Sequence, residues 1–338
     1  MSVTTVSTVM QEAVNNVPRN DIINGGLVVN QENQTAPADD AYTIGDLFLH
    51  VGEGTPVMSL ETDGPQGTRP WQKMVLDAND QGGLVYFMSN DDVQDYIANG
   101  KLSFGIQLKT TAATIANARI GILKWVGTAD AVTSDVVGTW ASDGTNPTLA
   151  TSWSYENTPA NIGLTTSWAR HTVEDITVDS NTTNIAIFVW TNDGTITASD
   201  VIGFSEWQMN PGATVNAFSS PDVGTVAKQV DYYFRQYLSV GTNGNSIGTG
   251  FVVSSTVARI DVIFDQAMFK TPTITESAGS DYRVAHKAAT ADSSAAAESE
   301  VSVRGFRYAV TTSGLTAGDG CSFFFKLSGD FLRADARF

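Results

Sequence analysis

The sequence holds a single cysteine, Cys321, in 338 residues. No disulfide can close within the chain, so stability has to come from packing or from association between copies. Cys321 lies in the strand-like stretch Gly320-Cys321-Ser322-Phe323 with no histidine close in sequence, and reads as a small buried hydrophobe rather than a reactive thiol. Histidine is almost as scarce. His50, His171 and His286 are widely separated, leaving neither paired-histidine zinc spacing nor a Cys/His pair, which argues against a metal-hydrolase. Charge is thin as well, at 16% of residues against roughly 25% in ordinary soluble domains. No window approaches the roughly 20 apolar residues of a membrane span, and the first residues lack the basic head and apolar core of a secretion signal. Neither membrane insertion nor export by such a signal is expected. The glycine-rich segments sit between strand patterns rather than between a strand and a helix, so no phosphate-cradling loop is formed. No repeat of 20 to 50 residues supports a solenoid or propeller.

What the chain does contain points to β structure. Its hydrophobic content is 42%, enough for two domains, since single cores stop growing at roughly 250 residues. Thr, Ser, Asn, Ala and Gly are abundant; Thr suits a pleated surface, Gly and Asn suit tight turns. The net charge of −17 is uneven: residues 1–238 hold 26 acidic and 10 basic side chains, residues 239–338 hold 10 and 9. An acidic surface repels phosphate backbones, so nucleic acid is not an expected partner, whereas cations and neutral sugars are tolerated.

The organisation follows from local pattern. Residues 1–20 are polar and β-branched, with few large apolar side chains, and read as an attachment arm whose contacts include Val6 and Val9. From 21 to 220 short alternating runs are divided by turn signals, as in Leu102-Ser103-Phe104-Gly105-Ile106-Gln107-Leu108 and in 118–125. The more continuous apolar run 184–190, closed by Asn192-Asp193-Gly194, reads as an interior strand. Strands at this density predict two packed antiparallel sheets. In 221–238, Val223, Val226, Val230, Tyr233, Phe234 and Tyr237 recur at three- and four-residue steps behind Ser219-Ser220-Pro221, which predicts the chain's one substantial helix. Its stripe, Tyr233 and Tyr237 in particular, is a candidate seam between subunits. From 239 to 338 a second β-sandwich is expected, with the Ala/Ser-rich 288–299 as an exposed loop. The fold class is therefore all-β: two antiparallel, jelly-roll-like sandwiches joined by one short helix, with an extended N-terminal arm.

The order of landmarks resembles the jelly-roll, carbohydrate-binding-module-like sandwich of bacteriophage tail-fibre and tail-associated structural proteins. The strand Ile22-Ile23-Asn24-Gly25-Gly26-Leu27-Val28-Val29-Asn30-Gln31 is followed by Tyr42-Thr43-Ile44-Gly45-Asp46 and by Asn99-Gly100-Lys101-Leu102-Ser103-Phe104. Thr166-Ser167-Trp168-Ala169-Arg170-His171, the run 184–190, a closing strand in 200–212 and Asp231-Tyr232-Tyr233-Phe234 complete the order. The resemblance spans about residues 21–238. It departs where Gly45-Asp46-Leu47-Phe48 replaces an Asp-Arg-Trp and where Trp207-Gln208-Met209 replaces an acidic closing strand. It implies a non-enzymatic virion subunit, assembled in the host cytoplasm, that acts as a tail fibre or surface appendage in assembly and host attachment. The implied partners are its own copies in a homotrimer, other phage tail or capsid proteins, and a host-surface glycan. A capsid decoration or head-fibre protein is the alternative, and a polysaccharide depolymerase a more distant one.

Carboxylates are the one plentiful catalytic residue type. Asp39-Asp40, Asp91-Asp92 with Asp95, and Glu174-Asp175 could supply a glycosidase pair, but each reads first as a solvated turn. Asn90, Asp91 and Asp92 are the candidate ligands of a structural calcium ion, because adjacent oxygen donors in a loop suit a hard cation; no other cofactor is expected. Among seven tryptophans, Trp140 and Trp153, with Tyr155, flank the loop 142–147 and are the candidate sugar-stacking residues.

Overall fold

The computed structural model describes residues 19–77, 81–111, 114–141, 144–192, 196–240, 246–287 and 289–338. The arm positions Val6 and Val9 lie outside the described residues. The chain divides into two compact units, residues 1–226 with Phe338, and residues 227–337.

The first unit contains strands β1 (Ala41–Tyr42), β2 (Phe48–Gly52), β3 (Val57–Glu61), β4 (Trp71–Val75) and β5 (Gly82–Met88), helix α1 (Asn90–Asn99), then β6 (Lys101–Thr110), β7 (Asn117–Trp125), β8 (Val137–Thr139), β9 (Thr148–Leu149), β10 (Trp153–Tyr155), β11 (Ile162–Gly163), β12 (Ala169–Thr177), β13 (Asn184–Thr191) and β14 (Val201–Pro211). One sheet runs β1-β2-β5-β13-β7-β10, with β11 also on β7; the other runs β12-β6-β14-β4-β3. All the pairings are antiparallel, as the alternating patterns require. The sheets meet through interleaved aromatics: Phe48 of one packs on Trp207 of the other at 4.8 Å between ring centroids, and Trp207 also touches Phe104 and Phe204.

The continuous apolar run of β13 has a specific cause. Ile185, Ile187 and Val189 point to one side, Ala186, Phe188 and Trp190 to the other, and all are buried. The second side carries its own core. Residues 126–141 and 144–160 fold back over the sheet and set Val132, Val136, Val137, Trp140, Leu149 and Trp153 against Val85, Phe87, Leu123, Trp125, Phe188 and Trp190. The first unit thus has three layers, and one sheet is covered on both faces.

Helix α1 was not expected, and it corrects the reading of Asn90-Asp91-Asp92 as a loop. The Ser89 side chain caps it, accepting a hydrogen bond from the Asp92 backbone N–H, and Gly100 closes it in the left-handed region at φ 70°. Serine three residues ahead of an acidic residue is a helix-start signature.

The second helix, α2 (Val223–Tyr233), is shorter than the 221–238 expected, because residues 234–238 continue as a strand. The second unit contains β15 (Phe234–Leu238), β16 (Ser246–Val252), β17 (Val257–Ile263), β18 (Thr273–Glu276), β19 (Tyr282–His286), β20 (Ala289–Asp292), β21 (Ala295–Ser302), β22 (Gly305–Thr311), β23 (Gly320–Phe325) and β24 (Phe331–Asp335). A three-stranded sheet β15-β24-β18 accompanies a seven-stranded sheet β20-β19-β23-β16-β17-β22-β21. Tyr282 stacks on Phe323 and Phe325 in the core between them, and Tyr308 donates to Glu276 at 2.7 Å. The stretch 288–299, expected as a loop, supplies β20 and most of β21. These strands lie at opposite ends of the sheet order yet are joined only by Ser293 and Ser294, so the sheet curls until its two edges are held by one continuous run. Curling removes open edges. The small, exposed Ala and Ser side chains that suggested a loop instead line the outside of this run.

The units differ sharply in charge. Residues 1–226 contain 25 acidic and 8 basic side chains, residues 227–337 contain 11 of each, so the first unit carries the whole −17 and the second is neutral.

Candidate functional site

The five-stranded sheet of the first unit packs one face into the core; its other face carries a patch built from three cross-strand rows. Trp168, just before β12, stands beside Lys109 of β6, which is opposite Gly203 of β14, itself opposite Lys73 of β4. The next row is Arg170, Gln107 and Ser205, and the third is Thr172, Gly105 and Gln208. Side chains two apart on a strand share a face, so these rows line up on the side away from the core.

Two glycines shape the patch. A Cβ on Gly203 would lie 2.9 Å from the Trp71 ring and 3.1 Å from Trp168, so only glycine lets both indoles lie across the strand. A Cβ on Gly105 would lie 2.7 Å from Nη2 of Arg170, whose guanidinium occupies that space. Trp71 and Trp168 meet edge to face at 5.4 Å, and Lys109 Nζ sits 4.0 Å from the first ring and 4.7 Å from the second. The Trp71 indole N–H donates to Asp63 at 2.8 Å and holds that carboxyl below the usual range. Trp71 is buried, whereas Trp168, Lys109, Gln107 and Arg170 are partly exposed.

A bulge completes the site. The register between β14 and β6 shifts between Ser205 and Gln208, and Glu206, at φ 51°, falls inside the shift. Arg170 Nη1 donates to the Glu206 carbonyl oxygen at 3.0 Å. Arg170 Nη2 and Glu206 Oε1 are buried and have no hydrogen-bond partner among the described residues, although Arg69 Nε lies 3.4 Å from that Oε1. Burial pulls the Arg170 pKa down and the Glu206 charge opposes it. A buried donor or acceptor without a hydrogen-bond partner costs roughly 1–3 kcal/mol, which for Glu206 the neighbouring Arg69 offsets in part. What the patch presents outward is the half-exposed Trp168 ring with the partly exposed Lys109, Gln107 and Arg170, a flat face beside directional hydrogen-bonding groups, the combination that suits a sugar.

The residues singled out in the sequence are placed elsewhere. Trp153, expected at an exposed loop, is buried at 6% and packs on Trp125 and Phe87 in the second core. Trp140 and Tyr155 are half-buried against the same layer; Trp140 meets Phe188, and the Tyr155 hydroxyl donates to the Pro147 carbonyl. Asn90 donates to the Thr183 carbonyl, its backbone N–H is held by Asp130, and the Asp92 carboxylate accepts from the Ser89 hydroxyl at 2.6 Å. The three candidate calcium ligands therefore open a helix, and among the described residues no group of three metal-ligating side chains converges. Tyr233 is buried against Phe269, and Tyr237 packs on the core of the second unit while staying partly exposed. Of the carboxylate clusters, Asp39 accepts from the Gly52 N–H, Asp175 pairs with Lys101, and Glu174 accepts from the Val215 N–H. Asp40 has a buried, unpartnered Oδ1, and burial next to Asp39 and Asp135 pushes its pKa up to about 6.

Sequence reasoning passed over Trp71, Lys109, Gln107 and Glu206. The available signal was glycine inside two strand patterns, at 105 and 203, where a strand interior normally avoids it unless something approaches closely.

No family model and no curated protein matches this chain. Solved structures do. The carbohydrate-binding module TmCBM61, in complex with β-1,4-galactotriose, is 13% identical over 57% of this chain and 99% of its own, with a TM-score of 0.33. The CBM22-1 xylan-binding domain of Xyn10C from Paenibacillus barcinonensis is 11% identical over 58% of this chain and 99% of its own, at 0.29. The CBM22-1–CBM22-2 tandem of the same protein is 9% identical over 95% of this chain and 98% of its own, at 0.31. At such identity and overlap, the function rests on the residues of this chain.

Proposed function

We propose that the chain is a non-enzymatic glycan-binding and adhesion protein, whose first unit grips a neutral sugar chain across the open face of its five-stranded sheet. The observation that carries this reading is the half-exposed Trp168 ring, held against Trp71 and Lys109 across Gly203, with the partly exposed Gln107 and Arg170 in the next row of the same face. Trp168 offers a ring to stack on a pyranose. Gln107 and Arg170, both partly exposed, supply hydrogen bonds to hydroxyls, Glu206 holds Arg170 through its carbonyl oxygen, and Lys109 orients the indoles. The −17 charge of this unit disfavours anionic glycans and leaves neutral or amino sugars as ligands.

The finer reading is a homotrimeric tail-fibre or surface-appendage subunit of a bacteriophage particle, attaching to a host-surface glycan. It is supported by the order of landmarks from 21 to 238 and by the polar, β-branched arm at residues 1–20. Repetition of a weak sugar site in one assembly raises avidity without new contacts.

Titration against a panel of neutral and amino-sugar polysaccharides tests the site. Trp168→Ala and Arg170→Ala are each expected to weaken binding at least about tenfold with unchanged far-UV circular dichroism, since one good stacking or charge-assisted contact contributes on the order of 1.4 kcal/mol. Trp140→Ala, which alters the second core, is expected to leave affinity unchanged. Absence of binding across the panel would overturn the reading, and release of reducing ends would turn it into a depolymerase. Immunogold labelling of particles checks the virion assignment.

A further inference from the structure

We infer that the second unit carries a self-association surface, centred on Ile263, through which copies of this chain meet. The inference deepens the oligomeric part of the proposed function and rests on it. Of ten exposed large hydrophobic residues among the described residues, seven fall within 227–337, although this unit is about a third of the chain. Ile263 is the most open of all, 78% exposed at the end of β17. It borders a cleft of about 330 Å³ whose floor is Gly305 and Phe306, and whose rim carries Asp261, Glu300, Arg304 and Arg307. An exposed branched side chain thus stands at the edge of a shallow depression.

Charge selects the occupant. The rim contains two acids and two bases; Arg307 is paired with Asp261 at 2.8 Å and with Glu300 at 2.7 Å, whereas the exposed Arg304 has no acidic partner among the described residues. Such a rim is neutral overall and carries both halves of a contact: when copies meet head to tail about a threefold axis, Arg304 of one can reach the acids of the next while its Ile263 enters that neighbour's depression. The first unit, at −17, repels its own copies, so a neutral unit is where they can approach. A strongly basic or acidic partner would find no net charge here to recognise.

Sedimentation velocity of the full chain, over about 1 to 100 μM, tests this. The wild type is expected to be oligomeric. Ile263→Asp is expected to shift it at least tenfold in concentration toward monomer while circular dichroism is unchanged. Arg304→Glu should also weaken association, and Arg304→Glu combined with Glu300→Arg should restore it, which no folding defect would do. Each variant is also titrated with the polysaccharide bound by the wild type. Monomers that keep single-site affinity separate this surface from the sugar site. A monomeric wild type at 100 μM, or an oligomer unmoved by Ile263→Asp and by Arg304→Glu, overturns the inference; in the first case the patch serves a different partner.

Discussion

A methyl group at position 203 has nowhere to go. It would press on the Trp71 ring at 2.9 Å and on Trp168 at 3.1 Å, and indoles this large cannot shift by tenths of an ångström without leaving the strand. Gly203→Ala is therefore expected to cost roughly 1–3 kcal/mol, as overpacking does, and to abolish sugar binding by splaying the two rings. Intrinsic fluorescence and glycan titration, run together, check both halves. Asp40 makes a different prediction. Its carboxyl, half-buried beside Asp39 and Asp135, has its pKa raised from the ordinary 3.8 to about 6. The folded state therefore holds this proton more tightly than the unfolded one. The resulting stabilisation is fully present below about pH 4 and is lost as pH rises through about 6. Asp40→Asn should raise the Tm at pH 7 relative to the wild type, with the gap closing toward pH 4. A pH-independent gap would assign the effect to packing instead.

At the scale of single elements, legibility depended on whether a pattern named its partner. The alternation of residues 102–108 and 118–125 fixed strands β6 and β7, and the unbroken apolar run of β13 said that both its faces are covered. It did not say by what. The covering layer comes from 126–141 and 144–160, whose aromatics look exposed in sequence because turn residues surround them. Trp153→Ala is accordingly expected to cost about 3–5 kcal/mol, like other buried tryptophans, in urea unfolding of the first unit. The proposed sugar patch was hidden for the opposite reason: Trp71, Lys109, Gln107 and Glu206 come from three strands, one of them bulged, and meet only through sheet register. Of its residues, Trp168 and Arg170 stood inside a recognisable stretch. Helix α1 left a readable start signal in Ser89 and Asp92, and Val93 and Tyr96 supply its buried face. Ser89→Ala should remove the cap at a cost of about 1 kcal/mol, seen as faster amide exchange in residues 90–93.

Across the whole molecule the charge partition separates two physical regimes. Twenty-five acidic against eight basic side chains in the first unit give a self-repelling surface, whereas the eleven of each sign in the second largely cancel, several in direct pairs such as Arg283–Asp292 and Arg307–Asp261. Repulsion among like charges works against the compact state and is screened when the Debye length shrinks. Raising NaCl from about 20 mM to about 0.5 M shortens that length from roughly 20 Å to roughly 4 Å, below typical spacings between surface carboxylates. The first unit should then become more stable and the second stay nearly constant. Hydrogen exchange followed by mass spectrometry distinguishes them in the intact chain. Peptides covering β13 (Asn184–Thr191) are expected to exchange more slowly at high salt, and peptides covering β23 (Gly320–Phe325) at an unchanged rate. Equal slowing in both would show a general salting-out effect. Slowing in β23 alone would mean that association of the neutral units, rather than relief of repulsion in the acidic one, governs how this chain responds to its ionic surroundings.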